Sequence, residues 1–379
     1  MPNFGDELVL NSVLNWWKEN FDCNFSVFTG STQASSDIAI PGTQITWLDE
    51  PMTTAWNFAG ESDSRVKSLL ELLQKHPEKY TFPSSAELMR HQLMEADVFH
   101  AAGGGWFREG LPHAVSALGF CLDFLSTYNP DCRILLTGQG MGLFQDHSNT
   151  RDLAVRILRT ANLVDLREDR GLEFPTSCGI NSFVTCDDAF LSSVSTSDLL
   201  QTLSKPYALI QLTEKDRFKP ESPGYRKFRE ICLWLLDEGI ELQPVKLANS
   251  SSDVDCMFSE LKGLPVLDLI DASAMPLDSF GSIIKNSKIA VGSRFHMTIS
   301  SNALGVPCLA LPTSIDSGFR HESYFSQLGI REYGRVWTAD SKVAEIGQFL
   351  HGFLLPPARE TDQIKKRIKT KTELMRSQL

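Results

Sequence analysis

The amino-acid sequence predicts an α/β fold built as two Rossmann-like domains facing each other across a cleft. Three observations predict it. Short apolar runs of strand character alternate with stretches of helical length along most of the 379 residues, the pattern of repeated βαβ units and parallel sheets. That length exceeds what a single hydrophobic core ordinarily serves, so two domains are expected. A Ser/Thr-rich stretch, Ser192–Asp198, followed by Ser204-Lys205-Pro206, then interrupts the alternation before it restarts. The expected division is a first domain over 1–191, a linker over 192–206, a second domain over 207–355 and a C-terminal helix or tail over 356–379.

Taken in chain order, Gly5-Asp6-Glu7 opens a helix running through Trp17. Asp6 and Glu7 suit the positive end of that helix, and a carboxylate at the cleft can also deprotonate a hydroxyl. Met1–Phe4 are too few for a buried strand of the usual ~5 residues. The first strand of a doubly wound sheet is normally central, so this strand is expected to be missing. The chain would then be truncated or its start misassigned, unless another segment fills the slot. Ile40–Ser64 carries Trp47, Trp56 and Phe58, which suit either ring stacking or core packing. Asp97–Ala102 reads as a strand ending in Gly103-Gly104-Gly105, with a helix through Ala114–Leu125. Arg133–Thr137 is the next strand, ending in Gly138-Gln139-Gly140; residues 150–161 form a helix. Leu163–Leu166 is a strand that stops at Arg167, and Ser182–Cys186 runs into Asp187-Asp188. In the second half, Tyr207–Leu212 is a strand, and Arg226–Glu238 is an amphipathic helix closed by Gly239. Glu241–Leu247 and Val266–Ile270 are further strands. Lys288–Val291 is a strand that turns at Gly292-Ser293 into a helix, stopped by Gly305 before a second apolar strand that ends at Pro312.

Composition excludes several classes. A hydrophobic share of 42% with 22% charged residues fits a soluble globular chain. No run approaches the ~18 apolar residues that span a bilayer, and the acidic start lacks a leader's apolar segment. A net charge of -11 argues against a general nucleic-acid surface. Eight scattered cysteines without a C-x-x-C pair fit a reducing cytoplasm and no zinc site. The basic run Ile364–Lys371 suits a solvated helix face or a peripheral contact with an anionic membrane.

The candidate chemistry gathers at strand ends. Arg294 and His296 fall where a strand hands over to a helix, the place where open α/β sheets bind anions. An arginine fork fits phosphate or carboxylate, and a histidine exchanges protons near neutral pH. The alternative is an arginine paired with a carboxylate and a histidine that caps the helix. Gly103, Gly104 and Gly105 lack the G-x-G-x-x-G pattern and no Walker lysine follows. They can form an anion nest or a tight turn. Arg167-Glu168-Asp169-Arg170 is either a third such site or a surface charge cluster.

In order, Asn3–Glu7, Gly103–Gly105, Leu136–Gly142, Leu166–Asp169, Asp187–Phe190, Val291–His296 and Gly305–Pro307 resemble the polysaccharide pyruvyl transferase family. The resemblance implies a glycosyltransferase-B-like fold and transfer of pyruvate from phosphoenolpyruvate to a saccharide acceptor, free or lipid-linked, as a cyclic ketal. It implies Arg167 as the donor-site arginine and matches Arg294 and His296 to the family's Arg-x-His motif; with that donor, His296 is the candidate proton donor and Asp6, from its place at the cleft, the leading base. Gly103, Gly104, Gly105 and Gln139 would line the substrate site. The family often has a Tyr-Asp-x-Lys stretch after the strand that follows Gly-Val-Pro. Here Pro312–Arg320 has no lysine, so Arg320 or His321 would have to replace it. No cofactor or metal is expected. A nucleotide-sugar glycosyltransferase, or a non-catalytic sugar- or anion-binding protein, is the alternative on this architecture.

Overall fold

The computed structural model describes residues 4–29, 45–49, 87–108, 112–142, 144, 146–191, 205–214, 224–247, 250–328, 334–336 and 362–379. The chain divides into two compact units. One joins Val9–Leu191 to Ile368–Leu379, and the other joins Met1–Leu8 to Ser192–Arg367. The boundary falls inside the first helix, α1 (Phe4–Asn20), and inside the last, α11 (Asp362–Arg376).

In the first of these, the N-terminal unit, every described strand pairing is parallel. β1 (Phe25–Thr29) pairs with β2 (Ile45–Asp49). β3 (Val98–Phe107), β4 (Arg133–Met141), β5 (Leu163–Leu166) and β6 (Phe183–Val184) form a second sheet in that order. α2 (Glu87–Glu95) precedes β3, α3 (Pro112–Tyr128) and α4 (Asn149–Thr160) are crossover helices, and a short α5 (Glu173–Ser177) follows β5. β4 is buried from Ile134 to Met141, as a strand covered on both faces should be. α4 starts where Ser148 accepts the Arg151 N–H, and it buries Leu153, Ala154, Ile157 and Leu158 on one face. These join Phe107, Val115, Phe124, Leu136 and Leu166 in the main core. A second cluster sets Val13, Trp16 and Trp17 of α1 against Leu135, Leu163 and Met375.

The glycines correct the strand ends. Ending β3 at Ala102 and β4 at Thr137 stops too early, because both strands continue through their glycines to Phe107 and Met141. Gly104 is paired with Gln139 in the ladder, and the register shifts between Gly104 and Phe107. A glycine lacks a side chain but keeps its ladder hydrogen bonds, so pairing outlasts the sequence signal.

The C-terminal unit holds one parallel sheet among the described residues. Its order is β12 (Gly334–Val336), β11 (Cys308–Ala310), β10 (Ile289–Gly292), β7 (Tyr207–Gln211), β8 (Glu241–Lys246), β9 (Ile270–Asp271). Its helices are α6 (Gly224–Asp237), α7 (Ser251–Leu261), α8 (Leu277–Asn286), α9 (Phe295–Ala303) and α10 (Ile315–Gln327). Phe228, Ile231, Cys232 and Leu235 of α6 recur at helical spacing and are fully buried beside Ile210, Leu242, Val291 and Leu309. The strand expected over Val266–Ile270 is shorter: Leu267 N–H reaches Leu242 O at 2.9 Å, but ladder pairing begins at Ile270.

Of Ile40–Ser64 only β2 is described, so Trp56 and Phe58 lie outside the described residues, as does most of the Ser/Thr-rich linker. Among the described residues no helix is long and apolar enough to cross a membrane.

Candidate functional site

The C-terminal unit gathers polar groups at the carboxyl ends of β7 and β10. Gln211 ends β7, and its Oε1 accepts the N–H groups of Ser293 at 3.2 Å and Arg294 at 3.0 Å. That contact fixes the step from β10 into α9. Ser293 Oγ in turn accepts the Thr213 N–H at 2.8 Å. The Arg294 guanidinium donates to Asp253 Oδ2 through Nε at 2.9 Å and also through Nη2. Asp253 stands in the first turn of α7, behind the Ser250 cap. Its other oxygen accepts Thr213 Oγ1 and the Glu214 N–H, both at 3.0 Å. The Arg294 side chain keeps 21% exposure against 9% for Asp253. Because the guanidinium is planar, its Nη1 end points away from the carboxylate.

Phe295 separates Arg294 from His296 along α9, and it organises the next helix. Its ring meets His321 edge-on at 4.8 Å and Tyr324 at 5.5 Å between centroids. The Arg320 guanidinium lies 5.9 Å from the same ring's centroid, within cation–π reach. α10 therefore brings a second arginine to the aromatic ring beside Arg294. His321 is buried, and its Nδ1 donates to Ser317 O at 2.8 Å. Arg320, rather than His321, is the basic side chain that retains exposure here. His296 is half-buried in the first turn of α9.

The N-terminal unit carries a second, buried cluster. Arg167 is 3% exposed, with Nε 3.0 Å from Glu168 Oε2 and Nη1 3.2 Å from Asp187 Oδ2. Burial alone would lower its pKa, but the two carboxylates outweigh that and raise it. A Cβ placed on Gly140 would lie 2.7 Å from Arg167 Nη2, so that glycine makes room for the guanidinium. The nearest group to a Cβ on Gly105 would also be Arg167 Nη2, at 3.7 Å.

The backbone donors of the glycine strands are held by the protein's own carboxylates. Gly103 N–H donates to Asp188 Oδ2 at 2.7 Å, and Gly138 N–H to Asp165 Oδ2 at 3.2 Å. Gln139 is buried, and its Nε2 donates to Ala101 O at 2.8 Å and Thr137 O at 2.9 Å. Gly104 lies in the ladder opposite Gln139. Asp6 belongs to the first turns of α1, and its side chain falls outside the described set.

Behind these strands lies a chain of contacts with one proton arrangement. Trp17 Nε1 can only donate, and it meets His100 Nδ1 at 2.9 Å. The His100 proton is therefore on Nε2, which donates to Thr137 Oγ1 at 2.6 Å. Thr137 Oγ1 passes its own hydrogen to Asp188 Oδ2 at 2.8 Å. Burial pushes the His100 pKa down to about 4, so the ring is neutral. Asp188 and Asp165 converge on Lys371 of α11, which is wholly buried.

The structure thus brings Arg294, His296 and Arg320 into one neighbourhood of the C-terminal unit, and Gly103–Gly105, Gln139 and Arg167 into one neighbourhood of the N-terminal unit. Sequence reasoning missed Gln211, Asp253, His100, Asp165 and Lys371. Only Lys371 carried a legible signal. Ile364, Ile368, Lys371 and Met375 share one helical face, so the lysine occupies an apolar position.

The model of the polysaccharide pyruvyl transferase family matches residues 3–315. A search of curated proteins finds no match. Among solved structures, a putative UDP-N-acetylglucosamine 2-epimerase from Listeria monocytogenes is similar at 13% identity, with 100% of this chain and 94% of that chain covered and a TM-score of 0.59. The S. aureus MnaA–UDP structure is similar at 12% identity over 94% of this chain and 98% of that one, with a TM-score of 0.55. The OtsA apo structure follows at 10% identity, 97% and 95% coverage and a TM-score of 0.55. At these identities the likeness concerns the fold, which is glycosyltransferase-B-like.

Proposed function

We propose that this chain, which belongs to the polysaccharide pyruvyl transferase family, transfers pyruvate from phosphoenolpyruvate to two hydroxyls of a saccharide and releases phosphate. The observation that carries the reading is the C-terminal cluster. Arg294 is oriented by Asp253 at the start of α9, and Arg320 reaches the Phe295 ring between Arg294 and His296. Two arginines and a helix amino end suit a donor carrying both carboxylate and phosphate.

In the reaction, the terminal methylene carbon of the donor takes a proton, which makes the central carbon electrophilic. His296 is the assigned acid. One saccharide hydroxyl attacks that carbon and loses its proton. The C–O bond to phosphate breaks and phosphate leaves with its electron pair. The second hydroxyl adds to the same carbon, and its proton completes the balance. Asp6 is the assigned base for the hydroxyls. Gly103, Gly104, Gly105 and Gln139 are assigned to the substrate side of the N-terminal unit. Arg167 enters the donor site by its motif alone, because its surroundings hold two carboxylates for one guanidinium. The acceptor is a free or lipid-linked saccharide, no cofactor is invoked, and the reaction is assigned to the cytoplasm, to which eight free cysteines are suited.

The test is phosphate release from phosphoenolpyruvate in the presence of candidate saccharides, beside nucleoside diphosphate release from nucleotide sugars. The reading requires the first. The second without the first would make the chain a nucleotide-sugar glycosyltransferase, and neither would leave a binding protein.

A further inference from the structure

Lys371 has no exposed surface, and it lies beyond the residues that the family model matches. It comes from α11, near the end of the chain, yet its ammonium enters the N-terminal unit. There it sits 3.0 Å from Asp165 Oδ2, against Asp188 Oδ1, and 2.7 Å from Cys186 O. Burial would favour the neutral amine, but Asp165 and Asp188 outweigh it and raise the pKa, so the cation is retained. Each aspartate then reaches a different glycine strand. Asp188 holds Gly103 N–H and Thr137 Oγ1; Asp165 holds Gly138 N–H and, at 2.7 Å, Thr185 Oγ1. One cation is thus two contacts away from the backbone of β3 and of β4, where they carry their glycines.

We propose that Lys371 is a positioning residue: from the last helix it fixes Asp165 and Asp188, and through them the backbone at Gly103 and Gly138 on the substrate side of the N-terminal unit. Removing the ammonium leaves two facing carboxylates to repel each other. The strain falls first on the glycine N–H groups they accept, not on the sheet of the other unit. The helix is then a working part of this unit and not merely a solvated basic face.

The test uses the full chain and needs no substrate. Amide hydrogen exchange is followed in wild type, Lys371→Met and the charge-relieved double variant Lys371→Met/Asp165→Asn. Exchange at Gly103 and Gly138 is expected to rise at least tenfold in Lys371→Met, with β7 and β10 of the C-terminal unit unchanged. If the single variant does not fold, the double variant carries the test: Gly103, whose acceptor Asp188 has lost its cation, should still exchange at least tenfold faster. Unchanged exchange at Gly103, or an equal rise across both units, overturns the proposal. A kinetic arm rests on the function proposed above. The saccharide KM should rise about tenfold or more while phosphoenolpyruvate affinity holds. Failure of that arm with the exchange result intact would count against the substrate assignment and not against Lys371.

Discussion

Gly138→Ala isolates the close packing under the glycine strands. Gly138 has φ +59°, and a Cβ there would lie 2.7 Å from Asp188 Oδ2, 2.8 Å from its Cγ and 3.1 Å from its backbone nitrogen. The left-handed backbone alone costs an alanine about 1–2 kcal/mol. The contact adds about 1–3 kcal/mol, because a packed interior must shift to admit a methyl group. The shift cannot be absorbed by a flexible side-chain end: the oxygen in the way is the one that accepts Gly103 N–H at 2.7 Å and Thr137 Oγ1 at 2.8 Å. Gly179 supplies the control, with φ +68° and nothing within 4 Å of its Cβ position. Its alanine variant bears the backbone cost alone. In a cooperative unit of this size 1 kcal/mol moves the melting temperature by about 2–4 °C. Gly138→Ala, at about 2–5 kcal/mol in all, should therefore melt roughly 4–20 °C below wild type, and Gly179→Ala, at about 1–2 kcal/mol, about 2–8 °C below, with Gly138→Ala the lower of the two. Scanning calorimetry of the three proteins decides it. Equal melting of the two variants would refute the claim that Asp188 is packed against Gly138.

The His100 ring has a folded pKa of about 4 against 6.5 when unfolded. Between those values the unfolded chain binds more protons, so stability present above pH 6.5 is lost as pH falls toward 4, by about 3 kcal/mol at most. Urea midpoints from pH 4 to 7 should slope less steeply in His100→Gln than in wild type, and parallel slopes would contradict the assignment. Asp253→Ala should weaken phosphoenolpyruvate binding by about 2 kcal/mol, roughly thirtyfold, in calorimetry. In an Arg294→Ala background it should add nothing; additive losses would mean that Asp253 does not act through the arginine. His296→Gln should lower turnover about 10²–10⁴-fold with donor affinity nearly kept, as for a lost general acid. Equal losses in both would make it a binding residue.

The alternation of strands and helices was legible because parallel strands buried on both faces are apolar runs and α4 and α6 are amphipathic at the helical period. The ends of β3 and β4 were not, because glycine carries no hydrophobic signal although it pairs like any residue. Arg294 and His296 could be located from the strand-to-helix step. Their supports could not: Gln211 is 83 residues away from Arg294 and Asp253 is 41 residues away, and only folding brings them together. The glycine segments invited an anion nest, yet Asp188 and Asp165 accept the Gly103 and Gly138 N–H groups, and no local pattern announces an acceptor 85 residues off in the first case. The basic run that ends in Lys371 read as a surface because charge dominates its composition, whereas its helical phase put that one lysine on the buried face.

The most direct measurement is mass spectrometry of candidate saccharides after incubation with the protein and phosphoenolpyruvate labelled in its three carbons. The account predicts a labelled product heavier by pyruvate less water, with one phosphate released per ketal, and its loss in Arg294→Ala. Label that stays in phosphoenolpyruvate across acceptors, while a nucleotide sugar is consumed in the same mixture, would contradict it.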